Sequence, residues 1–239
     1  MKHVLITGAN KGIGFETAKQ MARLGYFIYL GSRDRPRGLD AVSNLKDSGI
    51  SNVELIEIDI TSIDSVKRAG RELETKITAL DVLINNAGIA GEQPQNISTG
   101  RIENLRRVFE TNFFGAVQTT QQFIELLKKS DEPRIVNVSS GLGSLTGHSN
   151  DTGNSNLGAF DAYSCSKAAL NAFTVMLAAE FRGTKFRINS VGPGYTATDL
   201  NGHKGTQTVD EAARRVVKYA TIGDDGPTGG FFKDESIPW

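Results

Sequence analysis

Two residues able to exchange a proton, Tyr163 and Lys167, stand four positions apart where the chain enters an apolar run at 168–179. On a helix, positions four apart share a face, so the phenol and the ammonium would project together. A free phenol has a pKa of roughly 10 and yields its proton reluctantly near neutrality. A neighbouring ammonium favours the phenolate, and a downward shift of about two units takes on the order of 3 kcal/mol of differential stabilisation. Tyr163 would then be a workable general acid or base. Taken alone, the pair reads more simply as a packed tyrosine beside a solvated lysine; the elements around it overturn that reading.

The first of those elements is a β-branched run at 4–7, followed by Gly8-Ala9-Asn10-Lys11-Gly12-Ile13-Gly14 and a helical pattern of Phe15, Ala18, Met21, Ala22 and Leu24. Strand, glycine turn and helix form the context in which bare amides at a helix N-terminus receive a pyrophosphate. Gly8 suits the tight turn, Gly12 the close approach of a phosphate, and Gly14 the packing of helix on strand. A second strand at 27–30 leads into Gly31-Ser32-Arg33-Asp34-Arg35-Pro36-Arg37. At such a turn a carboxylate selects a free ribose 2′-hydroxyl and an arginine selects a 2′-phosphate. Arg33 offers a planar bidentate donor set, with Lys11 and Arg37 as further charges, so NADP(H) is expected in preference to NAD(H). Arg35 is expected in solvent.

A third strand at 53–58 ends in Asp59-Ile60-Thr61-Ser62. Asp59 there can accept from an adenine amino group or serve only the turn, while Thr61 or Ser62 caps a helix. A fourth strand at 81–84 runs into Asn85-Asn86-Ala87-Gly88, small and amide residues suited to line a groove beside a cofactor, with Asn86 read as structural. Alternation of strands with helices predicts a parallel sheet covered on both faces. A long helical segment at 101–129 is interrupted around 111–115, where the polar Asn112 must find partners, an internal water among them. A fifth strand at 134–138 ends in Ser139-Ser140-Gly141, facing the crevice at the carboxyl ends of the strands. A long polar loop rich in glycine and asparagine follows at 147–156, and His148 within it is expected to be solvated. The helix bearing Tyr163 and Lys167 spans 161–182, and a sixth strand at 186–191 precedes Gly192-Pro193-Gly194-Tyr195-Thr196-Ala197-Thr198. Backbone and hydroxyl groups of that loop suit a nicotinamide carboxamide and phosphates. Residues 199–207 read as a flexible flap, 209–221 as a last helix and 229–232 as a closing segment.

With 239 residues, 38% of them hydrophobic, the chain can bury one sizeable core and is short for two. Twenty-seven basic residues balance 27 acidic ones, which leaves no global field to draw nucleic acid or an anionic membrane. The single cysteine, Cys165, excludes an internal disulfide and a cysteine metal cluster and fits a reducing compartment, with the cytoplasm expected. The apolar run at the start is too short for a signal peptide, and no stretch approaches the roughly 20 residues that span a bilayer.

Taken in order, these motifs closely resemble the short-chain dehydrogenase/reductase family over nearly the whole chain. The glycine motif at 7–14, Asn85 to Gly88, Asn112, Ser140, Tyr163 with Lys167, and Pro193 with Gly194 carry the likeness. Within the family the chain looks most like the NADPH-dependent carbonyl reductases, through residues 10–15, the Arg33-Asp34 and Arg37-Gly38 pairs and the Trp239 end. The resemblance implies a single-domain Rossmann-type α/β fold, a doubly wound parallel sheet of about seven strands with helices on both faces. It implies catalytic roles for Asn112, Ser140, Tyr163 and Lys167. It also implies a nucleotide held by Gly8, Asn10, Lys11, Gly12, Ile13, Gly14, Arg33, Arg37, Asp59, Ile60, Asn85, Ala87, Gly88, Tyr163, Lys167, Pro193, Gly194, Thr196 and Thr198. The implied reaction is reduction of a small ketone, aldehyde or quinone. Oxidation of an alcohol or hydroxysteroid, or nucleotide sensing without chemistry, are the alternatives. Ser140 and Tyr163 lie 23 positions apart, more than usual for the family and much less than in the animal carbonyl reductases. In those animal enzymes a larger insertion hinders a helix-mediated subunit interface, so a monomer or a homodimer is expected here.

Overall fold

Val4 and Ile6 point to one side of the first strand and Leu5 to the other, and all three are buried. Burial on both faces is what a parallel strand between two helical layers requires. The computed structural model describes residues 1–150 and 159–239. Seven parallel strands follow one another as β1 (His3–Ile6), β2 (Phe27–Ser32), β3 (Val53–Glu57), β4 (Val82–Asn85), β5 (Arg134–Val138), β6 (Arg187–Val191) and β7 (Phe231–Phe232). Their order in the sheet is β3-β2-β1-β4-β5-β6-β7. The expected doubly wound sheet of seven strands is the one observed.

Helices α1 (Gly12–Arg23), α2 (Arg35–Asp47) and α8 (Val209–Ala220) cover one face. Met21, Leu45 and Val216 meet Ile6, Leu30 and Val136 there. Helices α3 (Ile63–Glu74), α5 (Gly115–Leu127) and α7 (Asp161–Glu180) cover the other. Leu73, Phe123 and Leu177 pack there on Leu5, Leu83 and Ile188. Phe123 alone, with no exposed surface, stabilises this layer by roughly 1.5–3 kcal/mol relative to solvent. Strand order reverses between β1 and β4, so a crevice opens beyond their carboxyl ends, the usual ligand site of such sheets.

Three local expectations change. The charged turn after β2 is short, because Asp34 caps α2 by accepting from the Arg37 amide at 3.0 Å and Pro36 stands in the first turn. The loop after Ser140 holds the short helix α6 (Leu145–Ser149), whose Ser144 cap accepts from the Gly147 amide. His148 is therefore half-buried and bonded through Nε2 to the Leu142 carbonyl at 2.7 Å, not solvated. The remainder of the expected loop, 151–156, lies outside the described residues. The stretch expected as a flexible flap begins with a 3-10 turn at Asp199–Asn201, closed by a reciprocal cap between Thr198 and Asn201. Among the described residues, no helix is long and apolar enough to cross a membrane.

Candidate active site

The helical break anticipated at 111–115 is a π-helical turn, Glu110–Phe114, between α4 (Ile102–Phe109) and α5. It carries Asn112, 1% exposed, both of whose side-chain hydrogens are taken by protein. Its Oδ1 accepts from the Ile89 amide at 2.9 Å, and its Nδ2 donates to the Ile89 carbonyl and to Ser166 Oγ at 3.0 Å each. The side-chain amide thus ties the end of β4 to α7 and has no hydrogen left for a water. Gly88 passes so close that a Cβ there would lie 3.2 Å from Asn112 Oδ1 and 3.6 Å from Lys167 Nζ.

Helix α7 brings Tyr163 and Lys167 to one face, and β5 supplies what they meet. The Tyr163 hydroxyl lies near enough to Ser140 for Ser140 to lower its proton affinity, and Ser140 Oγ accepts from the Leu142 amide at 3.2 Å. Lys167 is 4% exposed, and its Nζ donates to the Val138 carbonyl at 2.8 Å, the last residue of β5. The same Nζ sits 5.7 Å from the centre of the Tyr163 ring. Ser140, Tyr163, Lys167 and Asn112 are therefore gathered at the carboxyl ends of β4 and β5.

Their proton affinities differ from the simple expectation of a lowered phenol. Burial pushes the Tyr163 phenol up to about 12, with the nearby Ser140 opposing part of the rise. Burial pulls Lys167 down to about 8. Desolvation leads both shifts, and the Lys167 ammonium is directed at a carbonyl rather than at the phenol.

Beside this cluster lies the glycine turn. Gly8 has φ +62°, and a Cβ on it would stand 2.9 Å from Ala87 Cα. Gly14 is tighter still, its Cβ position falling 2.4 Å from Asn86 Nδ2. Asn86 donates from Nδ2 to the carbonyls of Thr7 at 2.8 Å and Gly8 at 3.1 Å, and Thr7 Oγ1 accepts from the amides of Asn86 and Ala87. These contacts lock β1 to β4 and aim α1 at the crevice. Lys11, at the cap position of α1, makes no side-chain cap, and no acidic residue stands in the first turn. Gly12 has φ +59°, and among the described residues the space a Cβ would enter is bounded only by Thr198, 3.6 Å off. An uncapped helix N-terminus with room above it fits an external phosphate.

The other expected nucleotide contacts divide. Arg33 is exposed and has no partner among the described residues, whereas Arg37 stands 3.5 Å from Asp34. Lys11 Nζ is paired with Asp199 Oδ2 at 2.6 Å, an exposed, solvent-screened pair readily given up to a phosphate. Asn10 and Ile13 are half-buried on the turn. Asp59 Oδ1 accepts from the amide and hydroxyl of Thr61, a local turn. Ile60 is buried and packs against Gly115. Asn85 points into the core, donating to Thr120 and Asn137, away from the crevice. Pro193 accepts from Arg215, Gly194 takes φ +92°, and Thr196 Oγ1 donates back to Gly194, so the loop after β6 is braced from within. Sequence reasoning missed Asp199 and Gln95, whose partners lie 188 and 68 residues away and leave no local signal.

A doubly wound sheet, a glycine turn at its switch point and a Tyr-Ser-Lys cluster beside it define a Rossmann-type oxidoreductase. The chain belongs to the short chain dehydrogenase family, whose model matches residues 2–208. It is 34% identical to salutaridine reductase of Papaver bracteatum over 294 aligned positions, covering 97% of this chain and 94% of that one. It is 33% identical to (+)-neomenthol dehydrogenase of Capsicum annuum, covering 99% and 96%. Among solved structures, salutaridine reductase from Papaver somniferum superposes with a TM-score of 0.86 at 34% identity, covering 98% of this chain and all of that one. NADPH-bound carbonyl reductase from chicken fatty liver superposes equally well, at 0.86 and 28% identity, covering 100% and 99%.

Proposed function

We propose that this chain is an NADPH-dependent carbonyl reductase acting on small ketones, aldehydes or quinones. The observation that carries the reading is the meeting of the Tyr163 hydroxyl with Ser140, with the buried Lys167 ammonium one turn further along α7. A nicotinamide nucleotide, when bound, supplies the hydride. Ser140 donates a hydrogen bond to the substrate oxygen as negative charge grows there. Tyr163 gives its proton to that oxygen. A phenol held at about 12 is protonated throughout the physiological range, yet it is still far more acidic than an ordinary alcohol. In this reading Lys167 holds ribose hydroxyls and favours the phenolate left behind, while Asn112 keeps β4 and α7 in register. The 28% identical carbonyl reductase is NADPH-bound, which supports the cofactor, and relatives named as reductases stand beside others named as dehydrogenases. The one cysteine fits a cytoplasmic setting.

The test is consumption of NADPH, followed by its absorbance, with a panel of ketones, aldehydes and quinones. Tight nucleotide binding with no consumption on any of them would replace the reductase by a nucleotide sensor.

Cofactor choice gives a separate expectation. Arg33 is the cation near the ribose turn that no carboxylate engages among the described residues. Arg33→Ala should therefore lower kcat/KM for NADPH by roughly tenfold, about 1.4 kcal/mol, and leave kcat/KM for NADH nearly unchanged. Equal losses with the two nucleotides, measured by steady-state kinetics, would show that Arg33 does not read the 2′-phosphate.

A further inference from the structure

Helix α7 begins without a cap of its own. Phe160, at its cap position, offers no side-chain acceptor. The Ser164 amide is the first to bond within the helix, to the Phe160 carbonyl at 2.8 Å, so the Tyr163 amide falls among the donors a helix leaves open. That amide is met from another part of the chain: Gln95 Oε1 accepts from it at 3.1 Å. Gln95 is 2% exposed, and its Nε2 donates to the Ala90 carbonyl at 2.7 Å. Both ends of the amide are therefore used. One end holds the residue that bears the phenol, and the other holds the segment leaving Gly88.

That segment is fixed independently of Gln95. Asn104, on α4, accepts from the Glu92 amide and donates to the Glu92 carbonyl, at 2.9 and 2.8 Å. Gly91, at φ +85°, has no room for a side chain, since a Cβ would fall 2.6 Å from Val108. Gln95 thus reaches α7 from a braced base. Lys167, one turn along, has its own anchor at Val138 and does not depend on Gln95.

We propose that Gln95 is a positioning residue for Tyr163, an N-cap supplied from a distant segment that sets where the phenol stands relative to Ser140. The inference rests on the reading of Tyr163 as proton donor only for its kinetic arm. Loss of the cap frees the first turn of α7 to shift while the glycine turn and Lys167 stay in place. The signature is therefore a loss in kcat without a loss in nucleotide affinity.

The first experiment uses the wild-type protein and needs no variant to fold. Amide hydrogen exchange at Tyr163, followed by NMR, should run at least about a hundredfold slower than the unstructured rate, as for a bonded amide. Exchange near the unstructured rate would overturn the proposal whatever the enzyme does. The second compares Gln95→Met, which removes both bonds at nearly constant shape, with Gln95→Glu, which keeps the acceptor. Gln95→Met should lose about tenfold or more in kcat with NADPH affinity within about twofold, and Gln95→Glu should recover most of the loss. A Gln95→Met protein with unchanged kcat, or one whose nucleotide affinity falls in step with kcat, would refute the positioning role. If wild-type protein shows no reductase activity, the reading of Tyr163 fails while the exchange result still decides the cap.

Discussion

Tyr163→Phe is expected to lower turnover by about a hundredfold or more while nucleotide affinity stays within about threefold. The ring remains, so the packing of α7 and the 5.7 Å contact with Lys167 Nζ are kept; only the hydroxyl beside Ser140 is gone. Without it, the oxygen of a reduced carbonyl has to take its proton from water entering the crevice. Ser140 would still donate a hydrogen bond to the forming charge, which leaves residual turnover above that of free reactants. The measurement is kcat/KM for the best carbonyl in the panel, with nucleotide affinity from fluorescence titration. If the variant kept more than about a tenth of wild-type activity, a loss under roughly 1.4 kcal/mol, Tyr163 could not be the proton donor. Parallel loss of nucleotide binding would instead mean that the hydroxyl holds the nucleotide.

Most of the sheet is legible in the sequence, because parallel strands buried on both faces leave short apolar runs bounded by turn residues. Residues 134–138 and the start of the last helix at Val209 are found where expected, the latter marked by Thr208 and Glu211 in a reciprocal cap. The start of α2 is written too, in Asp34 and Pro36, but a cluster of arginines draws attention to charge and away from helix-start chemistry. Around His148, glycine and asparagine signal a loop, yet the Ser144 cap closes a helical turn that returns the imidazole to Leu142. Gathering of Ser140, Tyr163 and Lys167 follows from motif order and the βα topology alone. Their proton affinities do not, since burial comes from the whole fold and a spacing of four says nothing about it. Nor can any local pattern show that Gln95 caps a helix 68 residues away.

Lys167→Met should abolish turnover to within about a hundredth of wild type or less and, in nucleotide-free protein, make the fold more stable near neutral pH. The two effects share one cause. Lys167 is buried, and its pKa falls from 10.5 to about 8, so holding it charged in the folded state costs on the order of 3 kcal/mol. One hydrogen bond, to the Val138 carbonyl, offsets part of the desolvation, and no carboxylate lies against the ammonium among the described residues. Below about pH 8 the lysine is protonated in folded and unfolded chains alike, and the cost is fully present. Between about 8 and 10.5 the unfolded chain binds a proton that the folded one has lost, so wild-type stability rises with pH. Tyr163 is common to both proteins, and its raised pKa acts only above its unfolded value of 10, so it cancels in the comparison. The apolar variant fills similar volume without the charge, as replacement of buried ions by apolar groups often stabilises. Urea unfolding at pH 7, 8, 9 and 10 should show the variant ahead by roughly 1–3 kcal/mol at pH 7, with the gap closing as pH rises. A variant less stable at pH 7, or a gap constant from 7 to 10, would mean that Lys167 is satisfied by the protein alone. Closure of the gap would mean instead that the site carries an ammonium whose full complement of partners arrives only with the nucleotide, and that stability is given up in advance for that contact.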